Sequence, residues 1–183
     1  MNAKRQQRKG TPREKAWSLA GIADWDIGQS NIMTQRSLTI LLVEDDSNDI
    51  LLMEHAAASS GLGYRVQSVT DGVQAIRYLQ GDPPYDDRSL YPGPAVILTD
   101  LKMPGMDGLE LLRWLRTHEE CQVIPTVVLS SSSLPRDIEE SYRLGANSYM
   151  CKPSSQHERI RMLRVLHEYW CMCQRPHIVE KCK

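Results

Sequence analysis

An α/β fold built on a doubly wound parallel sheet is the architecture this sequence predicts, and three features predict it. Apolar runs alternate with helical segments five times along the chain. The first, third and fourth runs are nearly continuous rather than alternating, the pattern of strands covered on both faces. Each run passes into its helix through a tight turn, which implies parallel strands joined by right-handed crossovers.

Leu38-Thr39-Ile40-Leu41-Leu42-Val43 is the first strand, and it ends in Glu44-Asp45-Asp46. Ser47 or Asn48 can cap the following helix, whose inward stripe is Ile50, Met53 and Ala57, with Gly61 and Gly63 ending it. Tyr64 to Val69 reads as the second strand, and Asp71-Gly72 turns into a helix carrying Val73, Ile76, Tyr78 and Leu79. Residues 81–94 then break the rhythm: Pro83, Pro84, Pro92 and Pro94, with Gly81 and Gly93, exclude helix and strand. Loops of that length often carry function, which makes Tyr85 and Tyr91 candidate partner contacts; a tolerated insertion is the other reading.

The third strand, Val96-Ile97-Leu98-Thr99, runs into Asp100. After Pro104 and Gly105 a helix capped by Asp107 spans about Leu109 to Thr117, with Leu109, Leu112 and Leu115 facing in. Ile124 to Leu129 is the fourth strand, with Pro125 at its start, where no ladder donor is needed. It ends at Ser130, and a helix follows from Pro135 to about Leu144, punctuated by Gly145. Ala146 to Cys151 is a short fifth strand ending in Lys152-Pro153, and the last helix, about Ser155 to Cys173, carries Ile160, Leu163, Leu166 and Trp170.

Composition narrows the function classes. With 183 residues, 41% of them hydrophobic, the chain can bury one good core. A net charge of −1 exerts no general pull toward nucleic acid or membrane surfaces, and no run is apolar for long enough to cross a bilayer. Five cysteines without regular spacing suit reduced thiols in the cytoplasm better than a disulfide framework. Residues 1–37 form a basic N-terminal extension: Lys4, Arg5, Arg8, Lys9, Arg13 and Lys15 face a single acid, Glu14, in its first fifteen residues. It reads as a disordered segment, and translation from Met33 is an alternative start. Residues 38–173 are the folded domain and 174–183 a tail.

Strand ends in such a sheet gather on one edge, where reactive groups collect. Here they offer Glu44, Asp45 and Asp46, then Asp100, Ser130 and Lys152. Crowded carboxylates repel unless a cation sits among them, and a hard divalent ion that keeps its waters is Mg²⁺. Such an ion with a lysine and a hydroxyl makes a socket for a phosphoryl group. Asp100 is then placed to attack phosphorus and form an acyl phosphate.

These residues carry a resemblance. Ile40-Leu41-Leu42-Val43-Glu44-Asp45-Asp46, Leu98-Thr99-Asp100 through Asp107-Gly108, Val128-Leu129-Ser130-Ser131 and Tyr149-Met150-Cys151-Lys152-Pro153 occur in that order at successive strand ends. Together they resemble the receiver domain of two-component response regulators from Leu38 to Cys173. The resemblance implies a flavodoxin-like (βα)5 fold with strand order 2-1-3-4-5. It implies phosphotransfer from a sensor histidine kinase to Asp100, with Lys152 pairing with the phosphoryl group and Mg²⁺ held by Glu44, Asp45, Asp100 and the backbone carbonyl of Lys102. It also implies a switch in which Ser130 moves and Tyr149 follows, and a cis bond before Pro153. The insertion and the long last helix resemble stand-alone receivers that partner phytochrome-like sensor kinases.

On that resemblance the chain is a phosphoacceptor with self-phosphorylation and autodephosphorylation chemistry rather than an enzyme acting on a separate substrate. The Lys102 side chain is expected to affect acyl-phosphate lifetime. Only thirty residues follow Pro153, so output is expected through binding: to the kinase, to a downstream phosphotransfer or target protein, or to a second copy through Tyr169, Trp170 and Met172. The Cys171, Cys173, His177 and Cys182 group has metal-ligand residue types, but unpaired tail thiols are the expectation. Three rivals stand beside this reading. An aspartate-nucleophile phosphatase would carry a second acid where Lys102 stands. A nucleotide-binding protein would carry a glycine-rich loop where Glu44-Asp45-Asp46 stands. A degenerate receiver that only docks would not need four groups placed together at strand ends.

Overall fold

In the computed structural model, residues 38–173 and 182 are described. The chain divides into two units, Met1–Thr34 and Gln35–Lys183, and every described residue belongs to the second. The expectations for residues 1–37 and for the tail at 174–181 and 183 lie outside the described residues, His177 among them.

Five parallel strands, β1 (Thr39–Val43), β2 (Arg65–Val69), β3 (Val96–Thr99), β4 (Thr126–Ser130) and β5 (Ser148–Cys151), form one sheet in the order β2-β1-β3-β4-β5. They alternate with α1 (Ser47–Ser60), α2 (Gly72–Gln80), α3 (Gly108–Thr117), α4 (Pro135–Arg143) and α5 (Gln156–Met172). This is the expected flavodoxin-like arrangement. β1, β3 and β4 are buried along their whole length, as continuous apolar runs require. One face packs Leu41, Val43 and Ile97 against α2 and α3 through Tyr78, Leu79, Leu111 and Leu115. The other packs Ile40, Leu42 and Leu98 against α1 and α5 through Met53, Ala57, Leu163 and Leu166.

The helix ends show which residues the turns recruit. Asp46, rather than Ser47 or Asn48, caps α1: its carboxylate accepts from the Asn48 amide at 2.8 Å. A carboxylate suits this place because the first-turn amides and the helix dipole both favour negative charge. Asp107 caps α3 and Ser155 caps α5, each in a reciprocal capping box with the glutamate three residues on, Glu110 and Glu158. Leu111 is fully buried on α3 while Leu109 is only partly buried, so Leu111 joins the expected Leu112 and Leu115 in the inward stripe. Val73 on α2 is exposed and Ala75 takes its place in the core.

The stretch between α2 and β3 contains no helix or strand, as its prolines require. Tyr85 and Tyr91, expected to meet a partner, instead pack inward on Tyr78 with ring centroids 5.3 and 6.1 Å away. The Arg88 guanidinium donates to the carbonyls of Tyr78, Leu79 and Tyr91 at 2.9–3.0 Å, supplying the hydrogen bonds that no sheet provides here. Burial pushes the Tyr78 hydroxyl up to about 12, and it donates to the Pro92 carbonyl at 2.7 Å.

Two expectations are corrected. Cys182 is not an unpaired thiol: it forms a disulfide with Cys121, its backbone N–H donates to the Leu79 carbonyl at 3.0 Å, and it is buried beside Tyr78 and Leu79. Cysteines 61 residues apart carry no spacing signal of their own. Cys151, Cys171 and Cys173 are free thiols, as expected. Among the described residues the cis peptide bond is Pro83–Pro84, so the bond before Pro153 is trans. Trp170 is half-buried against α1 and the sheet, whereas Tyr169 and Met172 are exposed. No helix among the described residues is long and apolar enough to cross a membrane.

Candidate functional site

Strand register builds the site. Val43 pairs with Thr99 across the β1–β3 ladder, so the next residues, Glu44 and Asp100, leave the sheet side by side. The Asp100 amide donates to the Val43 carbonyl and the Glu44 amide to the Val69 carbonyl, fixing both exits. On the far side Ser130 pairs with Cys151, and the Lys152 amide donates to the Ser130 carbonyl at 2.9 Å. Lys152 therefore stands two strands away from Asp100, and its four-carbon stem spans the gap.

The Lys152 ammonium meets three carboxylates: Glu44 at 2.7 Å, Asp100 at 2.8 Å and Asp49 at 3.0 Å. Burial works against its charge, but the hydrogen bonds to Asp100, Glu44 and Asp49 outweigh that and hold it above an ordinary lysine. It reaches these partners through a trans bond at Pro153, so salt bridges, rather than the expected cis bond, aim it. Glu44 is only 2% exposed; burial raises its carboxyl, and Lys152 offsets part of that rise.

Asp100 divides its oxygens. Oδ1 accepts from the Leu101 amide at 2.5 Å and the Lys102 amide at 3.4 Å, while Oδ2 faces Lys152. Oxygens of Glu44, Asp45 and Asp100 all lie within 4.8 Å of one another, with Asp45 exposed and the other two buried. Three hard oxygen donors open to water on one side are a set that fits a divalent cation such as Mg²⁺. Asp46, the third acid of its run, serves α1 as a cap instead.

Ser130 is buried at the end of β4, and its hydroxyl accepts from the Ser132 amide at 3.2 Å. Tyr149 donates its hydroxyl to the Ser132 carbonyl at 2.9 Å, and its own amide donates to the Tyr142 hydroxyl at 3.2 Å. Ser130 and Tyr149 are thereby linked through one residue. Glu44, Asp45, Asp100, Ser130 and Lys152 thus lie at the carboxyl edge of the sheet with Tyr149 inside β5, and Glu44, Asp45, Asp100 and Lys152 meet in one cluster.

The family model for the response regulator receiver domain matches residues 40–164. This chain belongs to that family. As a receiver it is similar to the response regulator Rcp1 of Synechocystis, 31% identical over 72% of this chain and 87% of the relative. The structure of the phosphorylated cyanobacterial phytochrome response regulator RcpA matches with a TM-score of 0.68 and 33% identity over 76% of this chain and 99% of that one. The Mn²⁺-bound form of Rcp1 matches with a TM-score of 0.65 and 30% identity, covering 76% and 99%. The chain is therefore a response regulator receiver of two-component signalling, and it resembles phytochrome-associated receivers.

Sequence reasoning missed two charged members of this receiver's site. Asp49, in the first turn of α1, contacts Lys152, and Arg159, buried on α5, contacts Asp49 at 3.3 Å. An acid in a first turn reads as a dipole partner, which hid Asp49. The signal for Arg159 was periodicity, since 159, 163 and 166 share one face and both leucines are buried.

Proposed function

We propose that this receiver accepts a phosphoryl group on Asp100 from the phosphohistidine of a sensor histidine kinase and signals by changed binding to other proteins. The observation that carries this is the Lys152 ammonium 2.8 Å from Asp100 Oδ2, with oxygens of Asp100, Glu44 and Asp45 within 4.8 Å of one another. Those groups can receive a phosphoryl unit without rearranging the sheet.

In the transfer, an Asp100 carboxylate oxygen bonds to phosphorus as the bond from phosphorus to the histidine nitrogen breaks. The electron pair stays on the imidazole, which takes up a proton. Lys152 pairs with a phosphoryl oxygen, and the Ser130 hydroxyl donates to another. Mg²⁺ held by Glu44, Asp45 and Asp100, with the Lys102 backbone carbonyl as a further oxygen, would offset charge on the phosphoryl oxygens. RcpA in phosphorylated form and Rcp1 with Mn²⁺ support this reading by similarity. Water attacking phosphorus later breaks the bond to the Asp100 oxygen, which releases inorganic phosphate and restores the carboxylate, and the Lys102 side chain, exposed two residues after Asp100, is expected to affect that step. The chain is thus a phosphoacceptor rather than a turnover catalyst.

The test is labelling by a small acyl phosphate. The parent takes up one phosphoryl group with Mg²⁺ and none after chelation, and Asp100→Asn takes up none. Equal labelling of Asp100→Asn would place the nucleophile elsewhere, and no labelling of a folded parent would favour a pure docking module.

Switching follows from the same geometry. A phosphoryl oxygen that draws the Ser130 hydroxyl takes away the acceptor of the Ser132 amide, and Tyr149 is hydrogen-bonded to the Ser132 carbonyl. The change then reaches α4 through Tyr142 and alters the face that partners meet. Tyr149→Phe is expected to be labelled at the parental rate while its amide resonances in α4 and β5 move less than half as far on phosphorylation. Parental shifts in that variant would remove Tyr149 from the switch.

A further inference from the structure

The Lys152 ammonium has three donors and three carboxylate acceptors, so it is fully satisfied. Two acceptors, Glu44 and Asp100, belong with Asp45 to the acidic group that would hold a cation in the proposed phosphotransfer. The third, Asp49, stands outside that group on α1. Asp49 Oδ2 meets Lys152 at 3.0 Å while its Oδ1 meets Arg159 Nη2 at 3.3 Å. Arg159 is 8% exposed on α5, which is rare for a guanidinium, and a charge buried that far needs a counter-charge. Leu42, Met53 and Leu129 line the same pocket and lower the local dielectric, which strengthens each of these contacts.

We propose that Asp49 and Arg159 are a positioning pair that holds the Lys152 ammonium at the phosphoacceptor site and ties it to α5. The inference rests on the phosphoacceptor reading of Asp100. Glu44 and Asp100 change partners when the site is loaded, but Asp49 does not. It keeps one hydrogen bond on the ammonium throughout, so the lysine is already oriented when a phosphoryl oxygen arrives. Arg159 holds the Asp49 carboxylate turned inward, and because it lies on α5 it joins that helix to the strand-end lysine. Neither residue touches the reacting atoms; both act through Lys152.

The experiment uses the full chain as parent, Asp49→Asn, Asp49→Glu, Arg159→Met and the double variant Asp49→Asn with Arg159→Met. The first readout is the Lys152 side-chain ammonium resonance in metal-free protein. It is expected to be sharp in the parent and broadened beyond detection in Asp49→Asn, because an ammonium that loses one of its three carboxylate partners exchanges faster with water. The second is phosphorylation by acetyl phosphate at saturating Mg²⁺, with the maximal rate separated from the half-saturating donor concentration. Asp49→Asn is expected to lower the maximal rate about tenfold, the lower end of the range for groups that orient a ligand. Asp49→Glu recovers part of that loss. Arg159→Met lowers the rate alone but has no further effect in the Asp49→Asn background, since its action passes through Asp49.

A sharp resonance and a parental maximal rate in folded Asp49→Asn overturn the proposal while leaving the phosphoacceptor reading in place. Should Asp49→Asn not fold, Arg159→Met decides: a parental resonance and rate there overturn the pairing equally. A parent that is not labelled sinks the phosphoacceptor reading, and with it the catalytic part of this inference; the resonance then settles the structural part by itself.

Discussion

Lys152→Met is expected to unfold far more easily than the parent in metal-free buffer, by about 3–5 kcal/mol, the cost of removing one partner from a buried charge cluster. The substitution keeps the length of the side chain and deletes its charge. Glu44 and Asp100, both buried, then face each other and Asp49 without their common cation. For a domain of this size the loss corresponds to a fall in Tm of about 10 °C. The sign of the pH dependence follows from two groups. Lys152 sits above its ordinary value, so its stabilising effect is present in full at neutral pH and fades only in strong alkali. Glu44 also sits above its ordinary value, in the direction that favours its protonated form in the folded state. Stability from that group is lost as pH rises through its folded range, so the variant's deficit is expected to shrink as the buffer is made acidic. Added Mg²⁺ is expected to repair the deficit. A ligand at a hundred times its dissociation constant adds about 2.7 kcal/mol, and the variant should bind the ion more tightly than the parent because no lysine competes for the carboxylates. Thermal melts with and without Mg²⁺ check both claims; equal melting of variant and parent in chelator would mean that the cluster is too hydrated to need its cation.

The parts of this site that were legible in the sequence are those fixed by backbone alone. A strand end is a definite place in a parallel sheet, so Glu44, Asp45, Asp100, Ser130 and Lys152 could be set along one edge before any coordinates existed. What the sequence could not assign was the division of labour among like residues. Three acids follow β1, and only the direction of the α1 amides makes Asp46 a cap while Glu44 turns inward to Lys152. Asp49 lies three residues further on, and only the way α1 packs beside α5 turns it toward Lys152. Contacts between distant segments were equally hidden. Tyr85 and Tyr91 look like loop-tip aromatics until Tyr78 is seen beneath them, and nothing in the spacing of Cys121 and Cys182 marks them as neighbours. The cis bond expected before Pro153 was an inheritance from the family resemblance, and the lysine it was meant to aim is held by charge.

Gly108→Ala is expected to damage both stability and phosphorylation, although the residue carries no functional group. A β-carbon built on Gly108 would fall well inside van der Waals contact of the Asp100 carbonyl oxygen and 3.0 Å from Leu101 Cα. Both neighbours are backbone, so no flexible side chain can give way. Gly108 is the first residue of α3, its amide donates to the Leu101 carbonyl at 3.1 Å, and Asp107 before it is locked in the capping box. The helix cannot slide off without breaking that cap, so the strain must pass into residues 100–101. Overpacking of this kind costs about 1–3 kcal/mol, and contact with backbone places Gly108→Ala at the upper end. Displacing the Asp100 backbone by about an ångström is enough to lower the rate of labelling by roughly a hundredfold. Gly105 provides the contrast within the same loop. Its φ of +74° makes alanine unfavourable there by about 1–2 kcal/mol, but no atom lies within 4 Å of the added carbon. Gly105→Ala is therefore expected to lose some stability and keep most of its labelling rate. Comparing acyl-phosphate labelling of the two variants at a temperature where both are folded separates close packing from backbone strain. If Gly108→Ala labels as fast as Gly105→Ala, the packing of α3 against the 100–101 backbone does not set the position of the phosphoacceptor.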